Sequence, residues 1–195
     1  MSNAKPRKKV GTVNVDGPLV WMDMEMTGLD PKSSVILEIA TLITDNQLNL
    51  VAVGPNLVIH QSNKVLDAMD DWNKKHHGAS GLVKRVKESK TTLEEAENQT
   101  LAFIKEHCKE KESPLCGNTI SQDRRFLHKY MPRVEGFLHY RNIDVSTLKE
   151  LIARWYPENF DPPKKAGSHK AQNDIEESIK ELRFYRERYF LTLPL

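Results

Sequence analysis

The run Leu19–Met26, Leu-Val-Trp-Met-Asp-Met-Glu-Met, constrains the fold of this 195-residue chain more than any other segment. Side chains of a strand alternate between two faces, so Val20, Met22, Met24 and Met26 share one face and Leu19, Trp21, Asp23 and Glu25 the other. Acids two residues apart on a strand have Cα atoms roughly 6.5 to 7 Å apart, so both carboxylates can converge on one cation. An edge strand with a solvated polar face would give the same pattern, although Trp21 and the apolar surroundings lean against an open surface.

Further strands are expected at 35–44 and 50–60, making a meander of three. Helices follow near 64–75 and 92–110, the second opening on Thr92 with Glu95 three residues on, the spacing of a capping box. The order then alternates: a short strand at 114–117, a helix at 120–131, a strand at 138–144, and helices at 146–155 and 170–190. Three consecutive strands and then alternation predict an α/β fold, a mixed central sheet with an antiparallel part, flanked by helices. The segment 156–168 holds Pro157, Pro162, Pro163 and Gly167, so it cannot continue a helix and reads as a lid or a plain connector. Residues 1–17, with Lys5, Arg7, Lys8 and Lys9, are expected to be a basic flexible tail, in part a vector scar at Met1-Ser2-Asn3-Ala4. Residues 18–195 are expected to form one domain.

Two more acids stand where apolar residues belong. Ile120, Leu127, Tyr130 and Met131 form one helical stripe, and Asp123 falls inside it; Ala171, Ile175, Ile179 and Leu182 form another, with Asp174 beside Ile175. Burying an unpaired carboxylate is expensive, so each needs a cation or a dense hydrogen-bond network. A cap or salt bridge explains one such acid, whereas several in one domain favour metal. Oxygen-only ligands suit Mg²⁺ or Mn²⁺, and four acids can hold two such ions, the arrangement used for in-line phosphoryl displacement. His169, five positions before Asp174, is placed to take a proton from an attacking water at neutral pH, unless it is a plain surface residue.

Composition narrows the setting. Two cysteines, Cys108 and Cys116, make neither a disulfide framework nor a four-ligand zinc site, so a reduced, cytoplasmic setting is expected. The apolar runs are far shorter than the roughly 20 residues needed to span a bilayer, so no membrane partner is expected. A net charge of +2 neither demands nor excludes nucleic acid.

Four strings in order carry a resemblance: Trp21-Met22-Asp23-Met24-Glu25-Met26-Thr27-Gly28-Leu29-Asp30, Gly117-Asn118-Thr119-Ile120-Ser121-Gln122-Asp123-Arg124-Arg125-Phe126, Tyr140-Arg141-Asn142-Ile143-Asp144-Val145-Ser146-Thr147-Leu148-Lys149, and Ser168-His169 through to Asp174. Over residues 19–190 the chain resembles the oligoribonucleases, members of the DEDDh group of 3′-to-5′ exonucleases with a ribonuclease H-like fold. The resemblance implies that Asp23, Glu25, Asp123 and Asp174 bind two divalent ions and that His169 is the general base. It implies very short RNA, chiefly dinucleotides, as substrate and nucleoside 5′-monophosphates as products. Leu29 would wedge between bases, with Trp72 and His77 beside them. Thr119, Arg141 and Ser146 would hold the 5′ phosphate, and Tyr140 would come from the second subunit of a homodimer. Thr119 replaces a usual Ser, and Asn173 stands where a second acid is common. The competing readings are a general exonuclease of the same group, trimming longer RNA or DNA 3′ ends, and a non-catalytic module that binds RNA or a protein.

Overall fold

The computed structural model describes residues 16–163 and 171–190. The segment 1–15 of the expected tail, the later part of the loop at 156–168, and His169 lie outside the described residues.

The three expected strands form as β1 (Leu19–Met26), β2 (Ile36–Thr44) and β3 (Leu50–Val58), joined as an antiparallel meander. The two later strands are short: β4 (Leu115–Gly117) pairs parallel to β1, and β5 (Asn142–Asp144) pairs parallel to β4. The sheet order is therefore β3-β2-β1-β4-β5. Its direction reverses at β1, and crevices beyond the carboxyl ends of strands at such a switch are where α/β sheets place ligands.

Alternation along β1 distributes the core. Val20, Met22 and Met24 pack on one face with α4 (Leu93–His107), α5 (Ile120–Tyr130) and α6 (Pro132–Phe137). Trp21 packs on the other with α7 (Val145–Trp155) and α8 (Ala171–Tyr189). Trp21 is fully buried, and its indole N–H donates to Thr44 Oγ1 at 2.9 Å, so β1 is an interior strand and not a solvated edge. The capping box at Thr92 and Glu95 is present, both backbone N–H groups being satisfied, which stabilises α4 by about 1 kcal/mol.

Three expectations change. The helix at 64–75 divides into α1 (Asn63–Asp67) and α2 (Asp71–Ala79), because Asp70 caps a new helix by accepting the Asn73 N–H at 2.8 Å. A further helix, α3 (Leu82–Glu88), follows. The strand at 138–144 is confined to β5, because Pro132 at the first helical position opens α6 and the chain turns through residues 138–141. Among the described residues no helix is long and apolar enough to cross a membrane. Cys108 and Cys116 are buried free thiols.

Candidate active site

At the carboxyl end of β1, Asp23 and Glu25 face α8, whose first turn carries Asp174. One carboxylate oxygen from each of the three can be chosen so that all lie within 4.8 Å of one another. Crowding and burial act on protonation: desolvation first, then the neighbouring Asp174 and Glu38 carboxylates, raise Glu25 to about 7. Three carboxylates this close, with no nitrogen or sulfur ligand among them, fit a hard divalent ion.

Asp123 lies outside that group of three. It is 7% exposed, and its Oδ1 accepts the Met24 N–H at 3.0 Å. That N–H is available because β4 pairs with β1 only at Val20 and Trp21. Burial, opposed by hydrogen bonds from the backbone, brings the Asp123 carboxyl to about 7. Asp123 thus reaches the flank of β1 that β4 leaves uncovered from α5, whose core lies on the opposite face of the sheet from α8.

These raised carboxyls predict a stability profile for the chelated protein. A carboxyl whose folded pKa exceeds its unfolded value binds more protons in the native state, so stability falls as pH rises from about 4.5 to about 7. His139, whose pKa partial burial and then Arg141 lower, acts in the opposite direction, but its ring is only half-buried and that makes the effect smaller. In EDTA, the melting temperature should drop by about 5 °C between pH 5.5 and pH 8. Mg²⁺ added at pH 8 should restore it; a chelated protein more stable at pH 8 would overturn this account.

The residues expected around the substrate lie on two sides of the carboxylates. Leu29 is 74% exposed at the rim of a cleft of about 700 Å³ that also includes Thr27, Ser34, Lys64, Met69 and Asp70. Trp72 is also exposed, its ring stacked on His76 with centroids 3.8 Å apart, and is not a core aromatic. His77 is buried. A carbonyl only accepts, so the 2.9 Å contact from Nε2 to the Met26 oxygen puts the hydrogen on Nε2 and turns Nδ1 towards Glu25 Oε2 at 3.8 Å.

On the other side, Gly117 ends β4 where a Cβ would come within 2.9 Å of the Met22 carbonyl. Two residues on, Thr119 has φ 51°, a left-handed conformation costly for a β-branched residue. Its N–H is held by Asp144 Oδ1 and Ser146 Oγ, both at 2.9 Å. Asp144 also accepts the Ser146 N–H and so caps α7. Thr119, Asp144, Ser146 and Thr147 line a recess of about 480 Å³. Tyr140 and Arg141 are exposed, the Tyr140 ring lying 4.5 Å from His139 and beneath the Arg141 guanidinium at 5.4 Å. Asp144 has no role in the sequence reading above, although an acid that closes a strand and opens a helix is the signal of such a cap.

A model of the RNase T exonuclease family matches residues 20–182. The oligoribonuclease of Shewanella loihica is 58% identical over 172 residues, covering 88% of this chain and 95% of its own. That of Pseudomonas paraeruginosa is 56% identical over 171 residues, with the same coverage. Among solved structures, an exonuclease I from Methylocaldum szegediense superposes with a TM-score of 0.67 at 17% identity, over 89% of this chain and 41% of that one. E. coli exonuclease I in complex with a dT13 oligonucleotide gives 0.67 at 12% identity, over 88% and 41%. The chain thus spans about two fifths of those two structures, with which it shares the expected ribonuclease H-like exonuclease fold.

Proposed function

Because the chain belongs to the RNase T exonuclease family, and within it to the oligoribonucleases, we propose that it hydrolyses very short RNA, chiefly dinucleotides, to nucleoside 5′-monophosphates. As a member of that family it is a 3′-to-5′ exoribonuclease. The observation that carries the chemistry is the convergence of the Asp23, Glu25 and Asp174 carboxylates.

With Asp123 they hold two divalent ions, Mg²⁺ or Mn²⁺, which when bound offset the charge that builds on the phosphate oxygens during in-line displacement. His169 takes the proton of the attacking water. Leu29 separates the bases, with Trp72 and His77 beside them; the exposure of Leu29 and Trp72 supports their part. Thr119, Arg141 and Ser146 hold the 5′ phosphate, for which the planar Arg141 fork is suited. Tyr140 closes the cap from a second copy, which makes a homodimer part of the active form; its 68% exposure leaves the ring available for that. The enzyme works in the cytoplasm, with residues 18–195 as one domain.

A time course on 5′-labelled RNAs of two to seven nucleotides, in Mg²⁺ or Mn²⁺, tests the reading. Rapid cleavage should be confined to the dinucleotide, cease with chelator, and slow about 100-fold in His169→Ala. Equal rates at all lengths would point to a general exonuclease, and no metal-dependent cleavage to a binding module.

A further inference from the structure

Two turns of α8 beyond Asp174 lies a carboxylate that this chemistry does not use. Glu181 is 1% exposed, accepts the Tyr185 hydroxyl at 2.7 Å and Asn118 Nδ2 at 3.2 Å, and has Lys149 Nζ at 3.7 Å. A carboxylate here can only accept, so the Asn118 amide is oriented: Nδ2 towards α8, Oδ1 towards α7. The rest of the network follows from that. Ser178 Oγ gives its hydrogen to the Asp174 carbonyl at 2.7 Å and accepts from Asn118 Nδ2 at 2.7 Å. Ser146 Oγ donates to Asn118 Oδ1 at 3.1 Å and accepts the Thr119 N–H. A single directed chain of hydrogen bonds thus runs from Thr119 through Ser146, Asn118 and Ser178 to the backbone of Asp174.

We infer that Asn118, its amide oriented by Glu181, and Ser178 are positioning residues that fix the spacing between the Thr119–Ser146 recess and the Asp174 carboxylate, and so set the RNA length the enzyme prefers. The inference rests on the reading above, in which that recess holds the 5′ phosphate. A dinucleotide gripped at its 5′ phosphate has only one phosphodiester to present to the carboxylates. Both ends of so short a ligand are fixed, and a shift of one anchor relative to the other cannot be absorbed. An RNA whose 5′ phosphate lies elsewhere does not feel that spacing. The network is buried at Ser178 and Glu181, half-buried at Asn118 and Ser146, and surfaces at Thr119; at its buried end a half-satisfied member is costly and the alternatives are few, which holds the spacing from the α8 side.

The test compares the full-length protein with Asn118→Ala and Ser178→Ala, the second being the milder change should the first fail to fold. The readouts are kcat and KM on a 5′-phosphorylated dinucleotide and heptanucleotide, with melting temperature recorded beside them. The dinucleotide kcat should fall about 10- to 100-fold while the heptanucleotide rate changes by less than about threefold, so the length preference collapses. An equal loss at both lengths, or an unchanged ratio, overturns the inference and leaves the network as ordinary packing. If the parent protein itself shows no preference for the dinucleotide, the reading of the recess falls and takes the inference with it. If the parent shows the preference and both variants keep it, the inference alone falls.

Discussion

Asp174→Asn is expected to slow RNA cleavage on the order of 10³-fold, about 4 kcal/mol of transition-state stabilisation, while making the chelated protein more stable. The two effects have one origin. Asp174 contributes to the group of three carboxylates whose oxygens lie within 4.8 Å, and its charge is among the causes that raise Glu25 to about 7. The isosteric amide keeps the shape and removes one negative charge. Relief of that repulsion should stabilise the chelated fold by about 1 kcal/mol, or roughly 3 °C in melting temperature. Active sites commonly hold such unfavourable charge, and neutralising it trades activity for stability. Calorimetry in EDTA and in Mg²⁺ reads the second effect: the parent should gain more from the ion than the variant. A variant that is both inactive and less stable in EDTA would assign Asp174 a structural role, and one with full activity would remove it from the site.

Which parts of this site could be read from sequence follows from the range of the interactions involved. Asp23 and Glu25 were legible because a period of two fixes their common face, whatever the rest of the chain does. Asp123 and Asp174 were legible as acids within apolar helical stripes. The partner of Asp123 was not, because the Met24 N–H is available only through the shortness of β4, a tertiary fact. Glu38 carries the same signal as Asp123, an acid within the apolar run Ile36-Leu37-Glu38-Ile39-Ala40, but it answers to a salt bridge and is not one of the three converging carboxylates. Its cation, Arg85, lies 47 residues away on a helix that the periodicity did not reveal. The Asn118 to Glu181 contact spans 63 residues, and nothing local reports it. The turn after α6 is hidden in the sequence because the run of Leu138, Tyr140 and Ile143 resembles a strand, whereas Pro132 marks the helix that precedes it.

Arg85→Met is the substitution expected to cost the most stability. Glu38 is 0% exposed on β2 and pairs across the sheet with Glu25, on the same face as the cluster of acids. The Arg85 guanidinium holds it with two bonds, at 2.6 and 3.1 Å. Without that fork a buried charge would be left uncompensated beside Glu25, a loss of about 3 kcal/mol and so a melting point lower by roughly 10 °C. Partial exposure of Arg85 lets water reach its end of the pair and tempers the loss. Removing the carboxylate as well should reverse the sign of the effect. The double variant Arg85→Met, Glu38→Leu replaces the pair with apolar volume and should recover most of the lost stability. Denaturant titration of the parent, both single variants and the double variant gives the coupling directly; a double variant less stable than Arg85→Met alone would overturn it. The pair also bears on the metal site, because the Arg85 cation lowers the proton affinity of Glu25 while Glu38 raises it. Arg85→Met alone should therefore shift Mg²⁺ binding to higher pH, and the added Glu38→Leu change should move it back. That reversal separates an electrostatic role of the pair from simple loosening of β2 against α3, which would weaken the ion equally in both variants.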